Sequence, residues 1–150
     1  MNAVEILRAN HKEVLALIDV VEGKSGAVLK SDDAFNKLKD VLKTGTAVKE
    51  QVFYPAMEGF NEVRPLIREA YSEHYTIDQL LNQLSALPQG DAQGKLAELK
   101  ANIRRHVERI ENQVLPAAER LLSRSDLEEL GRKMEQMKSG RTVTASGKKK

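Results

Sequence analysis

Apolar residues recur along this chain in steps of three and four, the spacing of a single buried stripe on an α-helix. The first stripe reads Val4, Leu7, His11, Val14, Ile18 and Val21. Asn2 precedes it with Glu5 three residues on, a capping-box pattern. Gly23, Lys24, Ser25 and Gly26 interrupt it. Ser31 or Asp32 caps a second helix, with Phe35, Leu38, Val41 or Leu42, Gly45, Val48 or Lys49, and Val52 inward. Pro55 and Gly59 mark its end or a kink. A third helix begins around Val63–Pro65, the proline suiting a first turn, and turns Ile67, Ala70, His74, Ile77, Leu81 and Leu84 inward. After a loop from Pro88 to Gly94, a fourth carries Leu96, Leu99, Ile103, His106, Ile110, Gln113 or Val114, and Ala117. A short fifth helix, Ser125 to about Lys138, presents Leu127, Leu130, Met134 and Met137 to the end of the bundle. The last stretch, SGRTVTASGKKK, has no apolar period and is expected to be a disordered, solubilising basic tail.

These elements predict an all-α, antiparallel, up-down four-helix bundle over residues 1–138, with a short fifth C-terminal helix, and a tail over residues 139–150. With 150 residues the chain has room for one domain with a real core. Aromatic residues make up only 4%, so aliphatic side chains must build that core. There is no cysteine, hence no disulfide, thiolate metal site or cysteine nucleophile, and a cytoplasmic setting is expected. Lys+Arg 24 against Asp+Glu 22 gives no global charge bias toward nucleic acid or a membrane, and neither is expected as a partner. The first residues carry charges too early for a signal peptide, and no apolar run reaches membrane-spanning length. No phosphate loop, nucleotide fingerprint or nucleophile triad is present, and no enzyme activity is expected.

The chain also reads as a repeated helical hairpin. Gln51–Ala56 and Asn112–Ala117 align on their prolines at an offset of 61 residues (116 − 55). The same offset sets Gly45 opposite His106. All three histidines fall on inward stripes, and at 1.5 Å rise per residue His11, Gly45, His74 and His106 reach one depth near mid-bundle. Buried imidazoles need partners, since an unsatisfied polar group in a core costs on the order of 1–3 kcal/mol. Three in one layer point to a metal site, at least an ancestral one.

Five segments carry a resemblance to hemerythrin-like (HHE) domains. They are Leu7–Val14 with His11, Ala47–Ala56, Ser72-Glu73-His74, Arg105-His106-Val107-Glu108, and Asp126–Gly131. The resemblance runs from about Ala3 to Lys138. The resemblance implies a non-haem di-iron centre held by inward histidines and carboxylates, and roles in oxygen carriage or sensing, iron handling, or oxidative and nitrosative stress. It assigns His11, His74 and His106 as metal ligands; no haem is implied.

The family repeats His-x-x-x-Glu on the second and fourth helices, and here both copies depart from it. Gly45 and Lys49 stand for the first histidine and glutamate; His106 keeps the second histidine, but Ile110 stands for the second glutamate. Two iron ions need oxygen ligands to bridge them and offset their charge. Iron is therefore expected at low occupancy or not at all, and the expected partner is a metal ion or small ligand. The alternative is a metal-free scaffold or interaction module. Glu50 and Glu111 lie five residues past Gly45 and His106, about 140° around a regular helix, and are expected to face outward. Glu108 also points elsewhere, while Asp78, one turn past His74, is a candidate carboxylate. Lys49 either snorkels from a seam edge or puts its ammonium where iron would sit. The space at Gly45 is left to water, a small ligand, Tyr54, Lys49 or close helix packing.

Overall fold

A computed structural model of the chain describes residues 1–23, 29–87 and 92–145, with the side chains of Lys30 and residues 141–145 left aside. Helix α1 is Ala3–Glu22. Asn2 accepts from the Glu5 backbone N–H and Glu5 accepts from that of Asn2, both at 2.9 Å, closing the capping box. Helix α2 begins at Asp33–Val48 under an Asp32 cap, widens into a π-turn at Lys49–Phe53, and ends at Tyr54–Met57. Helix α3 is Arg64–Ala86, with Pro65 in its first turn. Helix α4 runs Gln93–Arg109, a π-turn at Ile110–Val114, then Leu115–Leu121. Helix α5 is Arg124–Ala145.

The expected four-helix bundle with a fifth helix is present. α1 packs along α2, α3 along α4, and α1 against α4; α5 lies on α1 and α2. The α2–α3 seam is more open, its contacts gathering near the connection between them. Every apolar residue of the α1, α3 and α4 stripes is buried, with Val114 rather than Gln113 facing inward.

Two boundaries differ from the sequence reading. Gln93 and Gly94, assigned to a loop, already belong to α4, while Pro88 to Asp91 lie outside the described residues. α5 does not stop near Lys138 but continues as helix to Ala145. Its first half is anchored by buried Leu127 and Met134, and extending an existing helix is far cheaper than starting one. Gly131 lets α5 cross the start of α1, because a Cβ there would come within 2.9 Å of the Asn2 backbone.

The two π-turns explain the sequence repeat. They start at Lys49 and Ile110, separated by the same 61 residues (110 − 49), and each is followed by a proline two residues past its end. Tyr54 N–H reaches back to the Lys49 carbonyl, and Leu115 N–H to that of Ile110. Each turn admits one extra residue, so two consecutive side chains share the inward arc.

The core falls into two apolar halves. One gathers Leu7, Val48, Phe53, Tyr54, Ile67, Ile110 and Leu115; the other gathers Val14, Ile18, Phe35, Leu38, Leu81, Leu99 and Ile103. Between them lies a layer of buried polar side chains: His11, Lys49, Glu73, His74 and His106.

Candidate cation site

The three predicted histidines meet in that layer. The Nε2 atoms of His74 and His106 lie 3.2 Å apart, and the rings of His11 and His106 meet edge to face at 6.3 Å between centroids. Each Nδ1 faces a carboxylate: His11 to Glu111 at 2.7 Å, His74 to Glu50 at 2.8 Å, and His106 to Glu73 at 2.9 Å. Glu73 also accepts from Arg109 Nε at 2.9 Å. An ionised carboxylate only accepts, so each Nδ1 carries the proton and each Nε2 presents a lone pair.

Three lone pairs facing one small space call for a cation or for donors, and Lys49 answers this. Its side chain is only 4% exposed, and Nζ lies 3.2 Å from His106 Nε2. Tyr54 Oη lies 3.4 Å from His74 Nε2, its ring stacked on that imidazole at 5.5 Å. His11 Nε2 is buried and finds no hydrogen-bond partner among the described residues. The seam-edge reading of Lys49 is therefore corrected: the ammonium sits inside the layer.

The electrostatics follow from burial. Burial pushes Lys49 down from 10.5 to about 8, while Glu111, Glu73 and Glu50 pull it back up. All three imidazoles are held well below their ordinary 6.5, first by burial and then by the Lys49 charge. Their contacts with the glutamates are thus hydrogen bonds from neutral imidazoles, not ion pairs. Burial raises Glu50, against the pull of Lys49. Tyr54 is held far above 10, first by burial and then by Glu50 and Glu73.

Glu50 and Glu111 were expected to face outward; both turn to the layer instead. The 140° estimate assumes a regular helix, and the π-turns break that assumption. Glu73, next to His74, was missed as a functional side chain; the one available signal was its place one step from a seam position. Asp78 is exposed and does not join the layer, and Glu108 is exposed as expected. The space at Gly45 is filled by Asn10, whose Oδ1 lies 2.8 Å from where a Cβ would stand. Neither Tyr54 nor Lys49 occupies it.

An up-down bundle with a mid-core layer of histidines backed by carboxylates defines a cation-site type of helical domain. The model of the hemerythrin HHE cation binding domain matches residues 2–118, and the chain belongs to that family. No curated protein and no solved structure matches the chain.

Members of this family bind non-haem iron, so the residues present must be tested against it. A di-iron centre does not fit. The three carboxylates beside the layer are engaged on the outer, Nδ1 edges of the imidazoles, and an ammonium stands among the Nε2 atoms. Among the described residues, no group of three or more His, Asp or Glu side chains is arranged to hold a metal ion. What survives is the outer support that normally orients metal-bound histidines; what is lost is the carboxylate set that would touch the metal. Among the described residues, no helix is long and apolar enough to cross a membrane.

Proposed function

We propose that this chain is a divergent hemerythrin-like domain that carries its own cation, the Lys49 ammonium, and acts as a metal-independent binding or sensing module rather than an oxygen carrier or an enzyme. The observation behind this is the placement of Lys49 Nζ at 3.2 Å from His106 Nε2, deep in a layer whose carboxylates are already engaged. Three lone pairs face that space, and Lys49 sets a positive charge among them, with a hydrogen bond to His106 Nε2. A cytoplasmic setting suits a domain without cysteine.

A second reading keeps one weakly held cation. It is favoured by the unpartnered Nε2 of His11 and by the 3.2 Å separation of the other two Nε2 atoms, a spacing two ligands of one ion also adopt. On this reading Lys49 must withdraw before the ion enters.

Metal analysis of the full chain, purified without oxygen in the presence of Fe(II), separates these readings. Less than a tenth of an iron per chain, with a melting temperature unmoved by a chelator, supports the first. One ion per chain whose removal lowers the melting temperature supports the second. Two irons with an oxo-bridge absorption band would overturn both. The double variant Lys49→Glu/Ile110→Glu should gain iron on the first reading.

A further inference from the structure

Between α2 and α3 the open seam forms a cleft of about 350 Å³ that reaches the buried layer at His74. This lies in the size range of small-molecule sites, which form between bundle helices. Its two ends differ in chemistry. Ile77 and Leu81, both buried, make an apolar floor, flanked by Leu42 and Ala47 from α2. At the His74 end stands Glu50, with Asp78 on the rim across from α2. Lys43 lies seven residues from Glu50, roughly 10 Å along the helix, so its charge does not cancel that of Glu50 locally.

The acidic end has unused capacity. Glu50 gives one oxygen to His74 Nδ1–H, and its other oxygen accepts no hydrogen bond from the described residues. Asp78 makes no ion pair with them. A cationic donor at this end would complete Glu50 without taking it from His74, and an apolar body about one helical turn long would cover the floor, Ile77 and Leu81 being four residues apart.

We propose that this cleft binds a small amine with an apolar body, its ammonium between Glu50 and Asp78 and its hydrocarbon part on Ile77 and Leu81. The proposal rests on the reading of the domain as a binding module and names the class of its ligand. Because Glu50 also holds His74, occupancy reaches the imidazole layer through one hydrogen bond.

The test uses 2-phenylethylamine titrated into the full chain, followed by calorimetry and by the NMR signals of the His74 ring. Neutral 2-phenylethanol and anionic 3-phenylpropionate serve as comparators. Saturable amine binding at about 0.1–1 mM is expected for a ligand of this size. It should be ~10-fold tighter than for the alcohol, with the acid not binding, and the His74 signals should move. Glu50→Gln and Asp78→Asn should each erode the preference for the amine and leave the alcohol unchanged. Asp78→Asn is an exposed change, which keeps the test valid if Glu50→Gln fails to fold. Ala47→Phe, which fills the cleft, should abolish binding of both. Equal affinity for amine and alcohol, binding that survives Ala47→Phe, or no saturable binding would each overturn the proposal. The metal content decides the module reading separately: a metal-free chain that ignores the amine loses only the cleft.

Discussion

Lys49 Nζ stands 3.2 Å from His106 Nε2, and the opposite edge of the same imidazole donates to Glu73 at 2.9 Å. One ring thus links a buried ammonium to a buried carboxylate. Similar carboxylates hold His11 and His74, so the layer contains its own counter-charges on the outside and its own cation within. That division follows from the two π-turns, which bring Lys49 and Glu50, and likewise Ile110 and Glu111, to the same side of their helices.

Replacing Lys49 with methionine sets two effects of similar size against each other. The variant no longer has to bury a charge, but His106 Nε2 loses its donor, and an unsatisfied buried acceptor costs roughly 1–3 kcal/mol. We expect a melting temperature within about 6 °C of the parent, since 1 kcal/mol corresponds to ~2–4 °C at this chain length. The clearer change is in titration. Lys49 depresses all three imidazoles, so in Lys49→Met their pKa values should rise toward 6.5, a proton taking the ammonium's place. Histidine NMR titration checks this; unmoved imidazoles would show that Lys49 does not act on the layer.

The pH dependence has a defined sign. Lys49 is at about 8 when folded and 10.5 when unfolded, so between these values the unfolded chain binds more protons. Stability is then lost as pH falls through this window and recovered as it rises, by something on the order of 2–3 kcal/mol. Because other groups titrate there too, the quantity to measure is the difference between parent and Lys49→Met in urea unfolding at pH 8 and 10. The histidines act at lower pH. Their folded pKa values are depressed, so stability is full above 6.5 and falls as pH drops below it. A parent whose unfolding midpoint is flat from pH 7 to 5 would contradict neutral imidazoles.

The stripes of α1, α3 and α4 were legible because a buried helix face leaves a period of three to four. The depth of the histidines was legible for the same reason, through rise per residue. The carboxylates were not, since their inward turn depends on a change of pitch that a fixed 100° step cannot contain. A signal was present all the same: the prolines at 55 and 116 repeat at the offset that relates the two π-turns. Asn10 was hidden for another reason. It lies beside His11, off the apolar stripe, and only the missing side chain of Gly45 draws it inward.

That pairing predicts a coupling. Alanine in place of a mid-helix glycine ordinarily gains about 1 kcal/mol. At Gly45 the new Cβ would meet Asn10 Oδ1 at 2.8 Å, so the carboxamide of that half-buried side chain must turn aside. Gly45→Ala should therefore gain less than this alone and the full amount in an Asn10→Ala background. A double-mutant cycle by urea unfolding measures the coupling. Additive effects would mean that Asn10 has room to move aside. A histidine at position 45 meets the same carboxamide, so a rebuilt site that restores a histidine there needs Asn10 trimmed as well.

Gly131 poses the same question at the crossing of α5 and α1, with a stiffer neighbour. A Cβ there would lie within 2.9 Å of the Asn2 backbone, which a rotamer change cannot relieve. Asn2 is also fixed by its capping box, so moving it would disturb the first turn of α1. Gly131→Ala should gain its ~1 kcal/mol of helix propensity and lose more than that in the crossing. The loss should appear as release of α5, because Leu127 and Met134 hold that helix only while it lies against the bundle. Faster amide exchange throughout α5, with exchange in α3 and α4 unchanged, is the expected pattern. A higher melting temperature with α5 still protected would show that the crossing tolerates a side chain, and that glycine at 131 has some other cause.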